Sequence, residues 1–164
     1  HYKGMSNMAP IRDVTLRFHA EPGESNFAGQ VHGGSVMKWI DQAGYACAAG
    51  WSKLYCVTVY VGGIRFFSPV HIGDLVDVYA KVIYTGRTSI HISVDVWASD
   101  PRTDPTRKTT HCVIIFVALD DDGKPTEVPV WKPEAKDDIG LESYARRLMD
   151  LRKDIDSEMS QYQN

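Results

Sequence analysis

Hydrophobic and polar residues follow two different patterns in the first third of the chain. From Val14 to Phe18 apolar residues alternate with polar ones, which is typical of a strand with one buried face. From Gly34 to about Trp51 apolar and small residues recur at helical spacing, and few charged or amide side chains interrupt them. A helix that is apolar around so much of its circumference must be covered on most sides. The pattern predicts a strand followed by a deeply buried helix.

The next segment predicts a series of strands. β-Branched and aromatic residues run from residue 57 to 61, and Gly62-Gly63 predicts a bulge or bend before the strand continues to residue 68. Further strands are predicted at 75–85, 90–97 and 109–119, separated by turns rich in Gly, Pro and Asp. Short connections favour sequential neighbours in one antiparallel sheet. We therefore predict an α+β fold in which a curved sheet of five or six strands wraps the long helix.

The C-terminal segment, residues 140–159, has a third pattern. Apolar residues three or four positions apart are separated by charged ones, and they are Tyr144, Leu148, Leu151, Ile155 and Met159. This spacing predicts an amphipathic helix that docks on the body of the protein or on a neighbouring subunit. Its charges are mixed in sign, which disfavours a helix lying on a membrane.

Composition indicates one soluble globular domain. The 164 residues suit a single core, and the net charge of −3 provides no cationic surface for nucleic acid or anionic lipid. No apolar run approaches the roughly 20 residues that span a bilayer. Three cysteines without paired spacing favour a reducing compartment, so we expect a cytoplasmic protein. We divide the chain into an N-terminal tag or flexible segment (1–10), a folded domain (11–135) and a C-terminal helix and tail (136–164).

One acidic residue within the apolar helix is a candidate for chemistry. An ionised carboxylate such as that of Asp41 is costly to bury unless a partner or a reaction uses it. Two interpretations stay open at this point. Either the side chain points out of the helix or binds a nearby hydroxyl, such as that of Ser35 or Ser52, or it acts in a site.

The glycine pair at the helix start, Gly33-Gly34, is the second candidate. Backbone N–H groups there are uncovered at the positive end of the helix dipole and can bind an anion or oxyanion, although glycines also simply permit a sharp turn. Gly34 and Asp41 share a helix face but lie roughly 10 Å apart. A carboxylate at that distance cannot act on a carbonyl held at its own helix N-terminus. If both serve one reaction, Asp41 comes from another copy of the chain, which predicts a homodimer with shared sites.

Other chemistries have weaker support. The histidines show no pair at metal spacing, no serine lies in a nucleophile elbow, and the cysteines lie in apolar runs. His32, beside the glycines, is more simply explained as a hydrogen-bonding loop residue than as a base. Arg87, with the hydroxyls of Thr88 and Ser89, either holds a phosphate or forms an ordinary turn.

Taken together in order, these segments resemble the signature of hot-dog-fold acyl-CoA thioesterases, specifically the YciA-like acyl-CoA hydrolases. The matching segments are Asn26-x-x-Gly29-x-Val31-His32-Gly33-Gly34-x-x-Met37-x-x-Ile40-Asp41, Val57-Thr58-Val59, Ile64-x-Phe66-x-x-Pro69-Val70-x-x-Gly73-Asp74, Gly86-Arg87-Thr88-Ser89-Ile90 and Val94-Asp95-Val96-Trp97. The likeness spans about residues 14–129 and leaves the C-terminal helix outside. Two departures are Gln42, where the family often has Glu, and Gly62-Gly63, which replaces larger residues near the cleft.

The resemblance implies a hot-dog fold, a dimer with a continuous sheet, and a hexamer built as a trimer of such dimers. It implies hydrolysis of acyl-CoA to a free acid and CoA without metal, cofactor or covalent serine, CoA being part of the substrate. Asn26 and Asp41 match the active-site amide and carboxylate, contributed by different protomers, and Gly33 and Gly34 match the glycines that polarise the thioester carbonyl. The residues that match the CoA-binding segment are Arg87, Thr88 and Ser89, and we place His32 with them.

The expected chemistry has two variants and one rival function. Asp41 acts as a general base on water while Asn26 fixes the water or the substrate, or Asp41 attacks directly to form a mixed anhydride. The rival is a non-catalytic acyl-CoA-binding or regulatory hot-dog module, which binds CoA esters and leaves them intact. A hydratase of the same fold is disfavoured because its Asp–His motif is not found. We expect neither a nucleic-acid nor a membrane partner.

Overall fold

The computed structural model describes residues 8–103 and 105–163, so most of the N-terminal tag predicted for residues 1–10 lies outside the described residues. Strands and helices alternate only at the start of the chain, before a run of three strands and a final helix. In chain order the elements are β1 (Asp13–His19), α1 (Gly33–Ser52), β2 (Tyr55–Phe66), β3 (Leu75–Thr85), β4 (Ser89–Ser99), β5 (Arg107–Leu119) and α2 (Lys136–Met159). All were predicted to within a few residues.

The five strands form one antiparallel sheet in the order β1-β3-β4-β5-β2. β3, β4 and β5 are sequential neighbours as predicted, but the expectation that β2 lies beside β3 is wrong. β2 pairs with β5 instead, from Tyr55 opposite Leu119 to Phe66 opposite Thr110. Because α1 crosses one face of the sheet between β1 and β2, the chain leaves the sheet at one edge and returns at the other.

The core lies between α1 and the concave face of the sheet, as the apolar helix predicted. The residues of β3 and β4 that face α1 are completely buried, and they are Val76, Val78, Ala80, Val82, Ile90, Ile92, Val94 and Val96. At Gly44 the helix approaches the sheet so closely that a Cβ atom would lie 3.0 Å from Phe116 and 3.1 Å from Ile114. Glycine at this position allows the helix to rest directly on β5.

The irregularity predicted at Gly62-Gly63 is present, and a second one, which was not predicted, decides which way two side chains point. The pairing of β2 with β5 shifts register between Thr58 and Tyr60, and again between Gly62 and Arg65. Residues two positions apart in a regular strand face the same side of a sheet. Here Thr58 contacts α1 on one face while Tyr60 contacts α2 on the other, because Val59 is an extra, unpaired residue between them.

α2 packs on the convex face of the sheet, so of the two partners expected for it, the body of the protein is contacted. Ala145 is buried there against Ile83 and Val113. This cover also explains why His91 and Ser93, which alternate with the core residues of β4, are buried rather than exposed. Neither helix of the described part of the chain is both long and apolar enough to cross a membrane.

Candidate active site

The loop before α1 fixes the orientation of the Asn26 side chain. Its Oδ1 atom accepts hydrogen bonds from the backbone N–H groups of Ala28 (2.9 Å) and Gln30 (3.0 Å). An amide oxygen placed between two donors leaves the NH₂ group directed away from the loop. Asn26 can therefore serve a ligand as a hydrogen-bond donor, through Nδ2.

The first turn of α1 has free donors, as the glycine pair predicted. The N–H groups of Ser35 and Val36 bond to the carbonyl of His32, whereas within the described ranges no acceptor meets the N–H of Gly33 or Gly34. His32 precedes the helix with its side chain exposed and forms no side-chain cap. A Cβ atom at Gly34 would meet nothing within 4 Å, so a ligand has open access to these amides.

Glu24 holds this loop against the helix from two sides. Its carboxylate accepts a hydrogen bond from the Ser35 hydroxyl, and its backbone carbonyl accepts the N–H of His32 at 2.9 Å. Val31 adds a third tie by donating its N–H to the carbonyl of Val70 at 2.9 Å. These bonds fix the path of the backbone between Asn26 and the two glycines.

A cavity of about 300 Å³ opens beside Gly33. Apolar side chains make most of its wall, and the lining residues are Val31, Gly33, Val36, Phe66, Phe67, Ser68, Pro69, Val70 and Thr110. Behind the wall, the buried carboxylate of Asp74 accepts hydrogen bonds from Arg107 (2.7 Å) and from the N–H of His71 (2.9 Å). This pairing fixes the loop between β2 and β3 that carries the wall.

Asp41 lies two turns further along α1, with its side chain exposed in the single chain. The Thr58 hydroxyl donates a hydrogen bond to its Oδ1 atom at 2.8 Å, and Oδ2 has no partner among the described residues. A second, mostly apolar cavity of about 170 Å³ adjoins this carboxylate, lined by Met37, Ile40, Asp41, Val61, Ile64 and Ile114. The carboxylate therefore has one oxygen held and one available at the edge of an apolar space.

Thr58 is the site residue that reasoning from the sequence missed. Ser35 and Ser52, named as hydroxyl partners for Asp41, are wrong: Ser35 binds Glu24, and Ser52 donates to the carbonyl of Ala48 at 2.8 Å. The signal available was a threonine at the start of an apolar strand, inside the matching Val57-Thr58-Val59 segment. Its contact depends on the register shift after Thr58, which sequence spacing does not specify.

Within one chain these candidate groups form two separate clusters, which we call half-sites. The helix-start half-site consists of Asn26, Gly33 and Gly34, and the carboxylate half-site consists of Asp41 and Thr58. Their two cavities have no lining residue in common. A single chain therefore does not bring the carboxylate to the free amides, which agrees with the distance argued from helix geometry.

Arg87 and Thr88 lie in the turn between β3 and β4, and Ser89 is the first residue of β4. The Arg87 side chain is exposed. The turn is held by the Thr88 carbonyl, which accepts the N–H of Ala118 at 3.1 Å. Ser89 pairs with Val117 on β5, whereas the strand beside Gly33 pairs with residue 110, seven residues away. That separation is about 23 Å along the strand. The turn and the helix-start half-site are thus at opposite ends of the sheet.

The three cysteine thiols are buried. Burial raises the pKa of the Cys47 and Cys112 thiols to about 12, and it also raises the pKa of Cys56. A thiol with so high a pKa does not form the thiolate that attacks. No group of three or more His, Cys, Asp or Glu suited to a metal ion occurs among the residues that the structure covers.

Comparison with known proteins places this arrangement in a class. Residues 28–104 match the family model described as the thioesterase superfamily. A curated relative, the acyl-CoA thioester hydrolase YciA of Salmonella typhimurium, is 37% identical over 124 residues, covering 74% of this chain and 93% of that protein. The protein is thus of the hot-dog thioesterase class. Within that class, the chain belongs to the family of YciA acyl-CoA thioester hydrolases.

Solved structures agree in fold over more of the chain. An apo-hexameric acyl-CoA thioesterase superposes with a TM-score of 0.84 at 26% identity, covering 90% of this chain and 97% of that chain. An acyl-CoA hydrolase from Staphylococcus aureus, in complex with butyryl-CoA, CoA and CoA disulfide, gives 0.83 at 26% identity, with 91% of both chains covered. Alanine variants of that hydrolase replace an asparagine, an aspartate and a threonine, spaced 15 and 17 residues apart. Asn26, Asp41 and Thr58 have the same spacing.

Proposed function

We propose that this protein hydrolyses acyl-CoA thioesters to a carboxylic acid and CoA, with each active site assembled from two copies of the chain. The observation that carries the proposal is the carboxylate of Asp41, held through one oxygen by Thr58 and free at the other beside an apolar cavity. Two further observations support the proposal. The relatives are named acyl-CoA thioester hydrolases, and the asparagine, aspartate and threonine replaced in the staphylococcal hydrolase have the same spacing as Asn26, Asp41 and Thr58.

The helix-start half-site supplies the electrophilic assistance. The free N–H groups of Gly33 and Gly34 point outward at the positive end of α1, where negative charge is stabilised. The Nδ2 amide of Asn26 adds a donor because its oxygen is already occupied. These groups bind the thioester carbonyl oxygen and stabilise the negative charge that develops on it during attack. The cavity beside Gly33 accepts the neighbouring part of the substrate.

The carboxylate half-site of the partner copy supplies the base. Asp41 Oδ2 takes a proton from water as the water oxygen bonds to the carbonyl carbon. The C–S bond then breaks and CoA leaves as a thiolate, which takes up the proton. A thiol with a pKa near 8.5 needs little help to leave, so one carboxylate and two or three donors suffice.

We assign the nucleotide phosphates of CoA to the segment Arg87, Thr88 and Ser89, and we place His32 with the part of CoA next to the thioester, because the two lie at opposite ends of the sheet within one chain. The exposed guanidinium of Arg87 and the neighbouring hydroxyls suit the phosphate groups of the nucleotide. The reaction uses no metal or separate cofactor in this proposal.

The assembly is proposed as a dimer through β2, and as a trimer of such dimers. β2 is an edge strand, paired with β5 on one side only, and a second copy of β2 completes a continuous sheet. Three solved relatives described as hexameric thioesterases, among them those of Yersinia pestis and Campylobacter jejuni, favour the larger assembly.

Thiol release from butyryl-CoA and from longer acyl-CoAs tests the function. We expect wild-type protein to turn over, and Asp41→Asn to lose at least about 100-fold in kcat while keeping its melting temperature. Asp122 is an exposed aspartate in the turn after β5, and Asp122→Asn is the matched control. We expect its kcat to equal that of wild type. Wild-type protein that binds CoA esters but releases no thiol would instead establish the non-catalytic module. Label from ¹⁸O-water in the Asp41 carboxylate would establish the anhydride route, because a general base never bonds to the water oxygen.

A further inference from the structure

We propose that the last turns of α2 contact a second copy of the chain. They lie over the convex face of the partner strand that pairs with β2, and we call this contact the clasp. The inference rests on the proposed dimer through β2 and adds to it a contact surface outside the active site. It follows from the path of the helix, from the side chains it presents, and from the open strand edge beneath it.

The path of α2 runs across the sheet from one side to the other. Near its start, Asp138 forms an ion pair at 2.6 Å with Arg12, whose side chain also bonds to the carbonyl of residue 82 on β3. In its middle, Ala145 packs on β3 and β5. Further on, the guanidinium of Arg152 lies 4.4 Å from the ring centroid of Tyr60 on β2. Arg152 thus marks the point where the helix reaches the edge of the sheet.

After Arg152 the helix has no more of its own sheet to cover. Every described residue from 153 to 163 is exposed. The eight residues from 152 to the helix end at 159 extend about 10 Å, which is the width of about two further strands. This projecting segment, residues 152–159, is therefore long enough to cover two strands of a second chain.

The projecting segment is apolar on one side. Leu151, Ile155 and Met159 continue the stripe that packs on the body through Leu148, yet they are 57%, 48% and 58% exposed. Where the stripe meets β2, a groove of about 240 Å³ lies between the helix and the strand, with Tyr60 and the backbone of Gly63 in its wall. The apolar surface is thus continuous from the body of the protein to beyond its edge.

The occupant is a second copy because the surface below the projecting segment is the open edge of β2. An exposed apolar residue, Val59 (46%), adjoins Tyr60 at that edge. A strand pairing here would lie directly under the projecting helix, and two-fold symmetry would place the partner's helix over this chain in the same way. A lipid surface fits less well, since acidic residues flank the stripe at 154, 156 and 158.

The experiment measures assembly without substrate, so its result is independent of catalysis. Sedimentation velocity of the full chain from nanomolar to micromolar concentration compares wild type with Ile155→Glu/Met159→Glu. Ser157→Glu, in the same segment but outside the apolar stripe, is the matched control. Val59→Lys tests the strand edge itself, and circular dichroism verifies that each variant is folded.

We expect the double variant to raise the dimer dissociation constant at least tenfold, as Val59→Lys does, with Ser157→Glu within about twofold of wild type. Equal dissociation constants for the double variant and the Ser157→Glu control would overturn the clasp while leaving the β2 dimer intact. A wild-type chain that is monomeric throughout, or a dimer insensitive to Val59→Lys, would also overturn it. Thiol release, measured separately, decides the proposed function in each case.

Discussion

At the scale of single residues, the contact between Thr58 and Asp41 determines how the carboxylate can act. A hydrogen bond to one carboxylate oxygen restricts the rotation that an exposed aspartate otherwise has, and the second oxygen has no partner among the described residues. Hydrogen bonds to charged groups contribute about 1.5–3 kcal/mol. If that orientation is needed in the transition state, the hydroxyl of Thr58 is a positioning group for the base.

We therefore expect Thr58→Val to lower kcat roughly 10- to 100-fold with little change in KM, because orientation of the base is lost while substrate contacts stay. Thr58→Ser retains the hydroxyl and should recover most of the rate. Steady-state thiol release by both variants, together with their melting temperatures, is the measurement. A Val variant as active as the Ser variant would remove Thr58 from the site.

His91 gives a second prediction at this scale, on stability. Burial beneath α2, with the charge of Arg152 as a lesser cause, lowers its pKa from 6.5 to about 4. As the pH falls below 6.5, the unfolded chain therefore binds a proton at His91, whereas the folded chain does not bind it until about pH 4. The contribution of this pKa shift to the free energy of unfolding is fully present above about pH 6.5 and is lost as the pH falls from 6.5 to about 4. The loss amounts to about 3 kcal/mol.

Chemical unfolding at several pH values between 4 and 7 checks this prediction. His91→Gln removes the titration, so its free energy of unfolding should fall less steeply over that window than that of wild type. The low pKa of Asp95, which His111 and Lys108 hold down against its burial, acts at more acidic pH and is common to both proteins. Parallel curves for the two proteins would contradict the assignment.

At the scale of elements, the position of α1 is set by how closely it can approach the sheet. Gly44 lies in van der Waals contact with the side chains of Phe116 and Ile114, and no other residue type leaves that space empty. The same approach brings Asp41, almost one turn earlier on the helix, within reach of Thr58. Helix packing and the geometry of the carboxylate half-site thus depend on one small residue.

Replacing Gly44 by a large residue should therefore be costly. We expect Gly44→Leu to lower the free energy of unfolding by at least about 2 kcal/mol, since overpacking a core costs 1–3 kcal/mol or more. Gly140→Leu is the matched control, because a Cβ atom at that helical position meets nothing within 4 Å. The control should be neutral or stabilising, as leucine favours helix more than glycine does. Denaturant melts compare the two directly.

At the scale of the whole molecule, the proposed function requires the two groups of candidate residues to come from different chains. Each chain carries the free amides at one place and the carboxylate at another, in cavities that do not merge. An arrangement in which each chain completes the other's site would make activity a property of the dimer rather than of the fold. Dilution below the dimer dissociation constant should then lower the activity per chain and the average molecular mass over the same concentration range.

Mixing two inactive variants tests this arrangement. In a mixed dimer of Asp41→Asn with Asn26→Ala, one site receives an intact Asn26 from the first chain and an intact Asp41 from the second. After unfolding and refolding together in equal amounts, roughly a quarter of wild-type activity should return, since half the dimers are mixed and each has one complete site. Each variant refolded alone is the control. A mixture no more active than its components would mean that each site lies within one chain.

The sequence by itself determined the local features of this protein. Hydrophobic periodicity located the helices and strands, Gly62-Gly63 predicted one of the two irregularities in β2, and the glycine pair predicted unpaired amides at the start of α1. Each of these depends on residues close together in the chain, for which spacing and side-chain chemistry are sufficient. The resemblance of the ordered motifs then indicated the class to which the chain belongs.

Only the tertiary structure decided the contacts between distant segments. The strand order put β2 beside β5, because α1 crosses the sheet and carries the chain to the opposite edge. The choice of Thr58 over Ser35 and Ser52 as the partner of Asp41 depended on a register shift in β2. These features depend on which faces and edges meet in three dimensions. Hydrophobic spacing along the chain specifies which face of an element is buried, but not which element covers it.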